Sequence, residues 1–393
     1  MSQDSVVIVA ARRTPIGGFQ GVLSPLSATD LCAAAIKAAV ADSGVDGDSI
    51  EELMMGCVLP AGVGQAPARI ASIAAGLPMS VVASTLNKAC GSGMKTTMLA
   101  HDLIRAGSAK IVVSGGMESM TNAPYLLPKA RGGYRMGHQE VYDHMFYDGL
   151  QNPADGNMMG HFAEDTAEKY GFTREAQDAF AIESVTRARA AAESGAFDAE
   201  ITPVTISTRK GDITVTKDEG PQTAKPEKIP SLRAAFRKDG TVTAASSSSI
   251  SDGAAALVLM SGSEAEKRGI TPLARVVGHS NFAQEPAWFT TAPVYAIKAL
   301  HERLGWTPDD VDLYEINEAF AVVTMAAMHD VGIDHAKVNV HGGACAVGHP
   351  IGASGARIIV TLLHAMRTHN KKRGVASLCI GGGEATAIGI EID

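Results

Sequence analysis

The sequence predicts an α/β fold made of two related halves, with a polar segment inserted into the first. Three observations carry this expectation. Short apolar runs of strand type alternate with helical periodicities along most of the 393 residues. Such a rhythm implies a sheet covered on both faces and mostly parallel. The stretch 90–119, CGSGMKTTMLAHDLIRAGSAKIVVSGGMES, has an echo in 352–386, GASGARIIVTLLHAMRTHNKKRGVASLCIGGGEAT. Composition shifts after about residue 121 toward Pro, Gly, Asp, Lys and Tyr, and the apolar rhythm returns near 252.

In chain order, SVVIVA at 5–10 reads as a first buried strand. Ala28–Ala41 reads as a helix, because Leu31, Ala35, Ile36 and Val40 recur near the 3.6-residue period. ELMMGCV at 52–58 and IVVSGGM at 111–117 read as further buried strands. Within the polar region, 173–193 is the one clear helix, with Thr173 and Gln177 bracketing its start. EGPQTAKPEKIP at 219–230 is loop-like. From 252, DGAAALVLM resumes the strand pattern. Each copy of the echo runs Ser-Gly, helix, polar turn, apolar strand and glycine cluster. Gly93 to Gly115 spans 22 residues and Gly355 to Gly381 spans 26, and the longer RTHNKKRG turn accounts for the difference. The expected organisation is 1–121 plus 251–271 as the first half, 122–250 as the insertion, and 272–393 as the second half.

Composition excludes several classes. Hydrophobic residues make up 46% and charged residues 19%, too apolar for a disordered chain. The net charge of −8 argues against nucleic-acid binding, which wants clustered Lys and Arg. The short run Lys371-Lys372-Arg373 reads as a solvated turn. No stretch approaches the ~18–20 apolar residues of a membrane span. MSQDSVVIVAARR has no cationic region before its apolar run, so it reads as a strand rather than a signal peptide. The ending GIEID carries no targeting address. Five cysteines without a CxxC suggest neither a disulfide framework nor a metal site, and a reducing cytoplasm is expected.

Four segments carry candidate chemistry. Cys90 sits between glycine-rich turn and helix in NKACGSGMKT. It is either a small buried packing residue or a nucleophile whose pKa the helix N-terminus lowers. His349 lies in HGGACAVGHPIGASGAR, on a loop stiffened by Pro350. It suits proton transfer, and a structural loop histidine is the other reading; His341 is read as structural. Cys379 ends an apolar strand before three glycines. It is a buried strand cysteine or part of a pocket whose Gly N–H groups hold an oxyanion. Asn317, in NEAFA after DLYEI, is an oxyanion donor or a helix cap, and Glu318 a base or a first-turn charge. Ser92-Gly-Met-Lys95 matches S-x-x-K, but the partner elements of penicillin-binding acyl enzymes are missing. Neither a dinucleotide-binding G-x-G-x-x-G nor a P-loop is present. Two thiols, a histidine and an asparagine on glycine-rich turns point to acyl transfer through a thioester.

Taken together, NKACGSGMKT, GTVTA (240–244), NEAFA, GGACAVGHPIGASGAR and CIGGG resemble the thiolase family, in its order and essentially end to end. The resemblance implies the thiolase-like fold: two similar βαβ-type halves in five layers, α-β-α-β-α, with a loop domain inserted into the first. It implies acetyl-CoA C-acetyltransferase activity in lipid metabolism, with coenzyme A as substrate and no permanently bound cofactor. Cys90 is then the acyl-carrying nucleophile and His349 takes its proton. Cys379 is acid and base at the substrate α-carbon. Asn317 builds one oxyanion hole, and the N–H groups of Cys90 and Gly381 the other.

Coenzyme A is expected along the loop domain, with Ser248, Ala244, Phe320, Phe289, Met158 and Lys228 at family contact positions. A homotetramer, a dimer of dimers, is the family expectation. Four features depart from the family pattern. Ser246 replaces an asparagine in TAASSSS, and Met158 stands where many members have histidine. The nucleotide-side loop offers only Lys225 and Lys228 where an arginine is usual. Phe289 stands where short-chain bacterial members commonly have methionine. A broad 3-ketoacyl-CoA thiolase of fatty-acid β-oxidation is the alternative activity. A non-catalytic acyl carrier is disfavoured because Cys90, His349 and Cys379 are all present. Ketoacyl synthases share the fold, and Cys379 argues against them.

Overall fold

The structure is a computed structural model and describes residues 4–393. The first half contains β1 (Val6–Arg13), α1 (Ala28–Ser43), β2 (Glu52–Gly56), α2 (Pro67–Ala74), β3 (Val82–Leu86), α3 (Ser92–Ala106) and β4 (Ile111–Ser119). After the polar segment, which includes α4 (Met159–Tyr170) and α5 (Arg174–Ser194), β5 (Ser251–Ser261) returns to the sheet. The second half contains β6 (Ala274–Ala283), α6 (Ala292–Leu304), β7 (Leu313–Ile316), α7 (Ala321–Val331), α8 (Ser354–Thr368), β8 (Arg373–Ile380) and β9 (Glu384–Glu391).

The helix starts follow from local chemistry. Ser27 caps α1 in a reciprocal capping box with Asp30. Thr173 caps α5 by accepting from the Ala176 amide, and Gly195 ends it in the left-handed region.

The strands run β7-β8-β9-β6-β1-β5-β4-β2-β3 along one hydrogen-bonded path. β1 and β6 join the halves through a three-residue register, Val6↔Val276 to Ile8↔Ala274. Alternation along each strand splits the side chains between two cores. Val7 and Val9 of β1, with Ala254, Ala256 and Val258 of β5, pack under α1 and α2. Val6 and Ile8, with Ala255, Leu257 and Leu259, face α3 and α8. Ala376, Leu378, Ile388 and Ile390 of the second half face the same two helices. On the far side, Val375, Ala385 and Ala387 pack under α6 and α7. This produces the five layers that the fold class implies. Apart from the largely exposed edge strand β3, the sheet is covered on both faces, which is why its strands read as unbroken apolar runs.

One expectation is corrected. The sheet is not mostly parallel: only β7·β8, β2·β4 and β2·β3 are parallel pairs, and the central pairings are antiparallel. The reason is connection length. A turn of three glycines joins β8 to β9, with Ile380 opposite Glu384, and so short a link forces an antiparallel pair. β4 and β5 pair in the same way, Ser119 opposite Asp252. The polar segment after residue 121 therefore occupies the place that the glycine turn fills in the other half.

The same symmetry explains the echo. α3 and α8 cross at their N-terminal glycines: a Cβ on Gly93 would lie 2.8 Å from the Ala356 amide nitrogen, and one on Gly355 2.3 Å from that of Met94. The polar segment is tied to β1 by a buried ion cluster. The Arg13 guanidinium lies 2.6 Å from Glu200 Oε1 and 2.7 Å from Asp218 Oδ1. Among the described residues, no helix is long and apolar enough to cross a membrane.

Candidate active site

Cys90 stands on a strained turn. Ala89 has φ 43°, a left-handed region that residues with a Cβ seldom adopt. The turn is over-determined by hydrogen bonds. The Lys88 amide donates to Ser92 Oγ at 2.8 Å, and that hydroxyl donates to Ala89 O at 2.7 Å. Gly91 lets the end of β8 approach, since a Cβ there would lie 2.4 Å from Ile380 Cδ1. The result is a partly buried thiol that accepts from the Gly381 amide and from its own.

Cys379 is fully buried at the end of β8, close enough to Cys90 for the two thiols to repel as thiolates. Residues far apart in the chain thus meet because β8 runs beside the start of α3. The expected lowering of the Cys90 pKa is not found. Burial pushes it up, outweighing the two amides, and pushes Cys379 well above the ordinary range. Although no carboxylate is near Cys90 in the sequence, the fold brings in Glu118, which also opposes the thiolate.

His349 is buried. Its amide donates to Ser249 O and to Ser251 Oγ, both at 3.2 Å. Its Nδ1 lies 2.5 Å from Ser354 Oγ, and its Nε2 has no partner. Asn317 follows β7, with its amide on Ser377 O at 3.0 Å. Its Nδ2 is 3.5 Å from His349 Nδ1, and its Oδ1 accepts from Arg357 at 3.4 Å. Asn317 is therefore no helix cap. Phe320 holds the cap position of α7.

Glu318 is buried too. It accepts from Ser184, Asn339 and the Cys345 amide, so it anchors a loop rather than serving as a free base.

The serine run at 246–249 docks on NEAFA. The Ser248 amide donates to Ala319 O at 2.9 Å, the Ala321 amide to Ser246 O at 2.8 Å, and Ser247 bridges to Phe320. Phe289, Phe320 and Phe162 pack with Cys379 in one apolar cluster. Ala244 is exposed beside this strand-like segment, and Lys228 is exposed on a short helical turn, Pro226–Ser231. Met158 is the cap residue of α4. Its neighbour Met159 comes closer to the thiols: it packs against the Cys379 cluster, and its Sδ would lie 3.5 Å from a Cβ on Gly381.

Sequence reasoning missed Met159, Ser354, Arg357 and Glu118. Glu118 accepts from the Val58, Leu59 and Gly352 amides, and burial still holds its pKa up at about 7. The sequence signal was a charged residue closing the apolar run IVVSGGM.

Burial, with Arg357 nearby, lowers the His349 pKa from the ordinary 6.5 to about 3. The group is neutral when folded, so it costs no stability above pH 6.5. Below that the unfolded chain takes up a proton the folded chain refuses, and stability falls until pH 3. The slope for one such group is about 1.4 kcal/mol per pH unit. His349→Asn is therefore expected to lose less thermal stability than the parent between pH 7 and pH 5. Parallel melting curves for the two proteins would contradict this.

Two family models cover the chain: the thiolase N-terminal domain matches residues 6–263 and the thiolase C-terminal domain 270–392. Fold and site thus define the class, and the chain belongs to the thiolase family. An acetyl-CoA acetyltransferase of Cupriavidus necator is 50% identical over 388 residues, covering 98% of this chain and 99% of that one. An Escherichia coli protein of the same name is 50% identical over 387 residues, covering 98% of each. The crystal structure of the Bacillus anthracis acetyl-CoA acetyltransferase superposes with TM-score 0.97 at 41% identity, covering 99% of each chain. A thiolase from Ascaris suum in complex with coenzyme A superposes with TM-score 0.94 at 44% identity, covering 98% of this chain and 99% of that one.

Proposed function

We propose that the protein is an acetyl-CoA C-acetyltransferase. It joins two acetyl-CoA into acetoacetyl-CoA and CoA, and runs the reverse thiolysis, through an acetyl group carried on Cys90. The observation that carries this reading is the meeting of Cys90 with the Gly381 N–H and Cys379.

In the first half-reaction the Cys90 proton passes to His349, and the thiolate attacks the acetyl carbonyl. The carbonyl oxygen, now anionic, is held by the Cys90 and Gly381 amides. The tetrahedral species collapses, the C–S bond to CoA breaks, and the departing thiolate takes the proton from His349. In the second, Cys379 removes a proton from the methyl group of another acetyl-CoA. The enolate oxygen is held on the Asn317 side of the site, where that amide is the donor. The enolate carbon attacks acetyl-Cys90, the C–S bond to Cys90 breaks, and the released Cys90 thiolate takes up the proton that Cys379 removed, which returns Cys379 to the thiolate it began as. The raised Cys379 pKa suits this step: the α-carbon of a thioester is a weak acid, and a reluctant thiolate is a strong base.

Coenzyme A serves as substrate and not as a resident group. We assign its contacts to Ser248, Ala244, Phe320, Met158 and Lys228, on the insertion 122–250 and the NEAFA turn. The halves 1–121 plus 251–271 and 272–393 supply Cys90 and the Asn317–His349–Cys379 set respectively. A homotetramer is supported by apolar surface in two places. β3 ends the strand path with Val82 62% exposed, and Tyr125, Leu127 and Met136 are exposed in the insertion. A cytoplasmic location suits the two site thiols, which must stay reduced.

The aromatic wall of Phe289, Phe162 and Phe320 beside Cys379 supports a short acyl group over the broad-range alternative, and we propose that an α-methyl branch is tolerated. The test is turnover of acetoacetyl-CoA, its 2-methyl analogue and 3-oxooctanoyl-CoA. The first two are expected to exceed the third, and Phe289→Ala to raise the third relative to the first by about tenfold. Fastest turnover of 3-oxooctanoyl-CoA by the unaltered protein would sink the short-chain reading.

A further inference from the structure

We infer that Ser354 is a positioning residue that fixes the tautomer of His349, placing the proton on Nδ1 and the lone pair on Nε2. The inference rests on the reading of His349 as the base of the site.

Ser354 opens α8 five residues after His349. Its hydroxyl donates to Pro350 O at 2.9 Å, and a serine hydroxyl has one proton to give. The same Oγ lies 2.5 Å from His349 Nδ1, so at that contact it accepts and Nδ1 carries the hydrogen. The second neighbour of Nδ1 does not compete. Arg357 engages Asn317 Oδ1 at 3.4 Å, which turns Nδ2 toward the ring at the longer distance of 3.5 Å. Nε2 is buried without a partner. A proton there would be an orphaned buried donor, which folded proteins seldom tolerate. A lone pair there is what a proton-accepting base requires. Burial and the adjacent Arg357 keep the ring neutral, so the choice between its two neutral forms decides whether it can act. Of the groups contacting Nδ1, Ser354 alone can accept from it.

The experiment compares the full-length parent with Ser354→Ala, Ser354→Thr, His349→Ala and the Ser354→Ala/His349→Ala double variant. Acetoacetyl-CoA thiolysis gives kcat and KM. Iodoacetamide alkylation of Cys90 gives a readout free of substrate. Ser354→Ala is expected to lower kcat by about 10- to 100-fold, with KM within about twofold, and to slow alkylation about tenfold. Ser354→Thr, which keeps the hydroxyl, is expected to recover most of both. In the His349→Ala background the serine substitution should cost nothing more, because it acts through the ring.

Unchanged kcat in Ser354→Ala would overturn the inference. So would an equal further loss in the His349→Ala background, which would mark a merely structural role. If the parent fails to thiolyse acetoacetyl-CoA, the functional reading falls. Alkylation that slows in Ser354→Ala and recovers in Ser354→Thr would then still uphold the tautomer.

Discussion

Cys90→Ala protein is expected to fold normally and to form no acetyl-CoA from acetoacetyl-CoA and CoA. The fall in kcat should be about 10⁴-fold or more, the size seen when a covalent nucleophile is removed. The reason is geometric. The Ala89 turn, with φ 43°, aims this one thiol at the Gly381 amide, and Cys379 cannot substitute because it ends β8 fully buried. Removing one sulfur from a partly buried site should cost only about 1 kcal/mol of stability. The loss is therefore chemical rather than structural, and near-identical melting temperatures alongside lost turnover would check it. Retained turnover at even a tenth of the parent rate would place the acyl group elsewhere.

The second large effect is on stability. Arg13→Ala is expected to destabilise the protein by about 3–5 kcal/mol, the cost of stripping one partner from a buried ion pair. Arg13 is fully buried. Its guanidinium reaches Glu200 at 2.6 Å and Asp218 at 2.7 and 2.9 Å, and it lies 5.0 Å from the Phe197 ring centroid. Without it, two buried carboxylates face each other unpaired. Both come from the inserted segment, so β1 loses its side-chain tie to that segment and keeps only backbone ones, Arg13 N to Glu200 O at 2.9 Å and Thr202 N to Arg13 O at 2.8 Å. Thermal or denaturant unfolding at fixed protein concentration measures the effect. A melting temperature within about 1 °C of the parent would mean that the cluster carries no net stability.

Much of this architecture is visible in the sequence, because covered strands must be apolar on both faces. SVVIVA, ELMMG and IVVSGGM are strands for that reason, and the echo between 90–119 and 352–386 reflects two helices crossing glycine on glycine. Strand direction was not visible. An apolar run does not disclose whether its neighbour arrives by a crossover or by a turn, so the strand–helix rhythm alone predicts a mostly parallel sheet where the centre is antiparallel.

The candidate residues Cys90, His349, Cys379 and Asn317 stand out by their glycine-rich settings and family motifs. Their partners do not. Ser354 and Arg357 sit inside GASGAR, where nothing local assigns them a role; that role comes from a ring and an amide contributed by other turns. Arg13 reads as an ordinary strand end, because Glu200 and Asp218 reach it from a segment whose path the sequence does not reveal. The Cys90 thiol was expected to be acidic from its helix N-terminus alone. Desolvation, visible only in the packed structure, outweighs that dipole.

The most direct test of the central claim is mass spectrometry of the intact chain and its peptides after brief mixing with acetoacetyl-CoA, without free CoA. One acetyl group per chain is expected on the Cys90 peptide, discharged by added CoA and absent from Cys90→Ala. Acetylation on Cys379 or Cys345 instead, or turnover with no acetyl-enzyme at all, would contradict it.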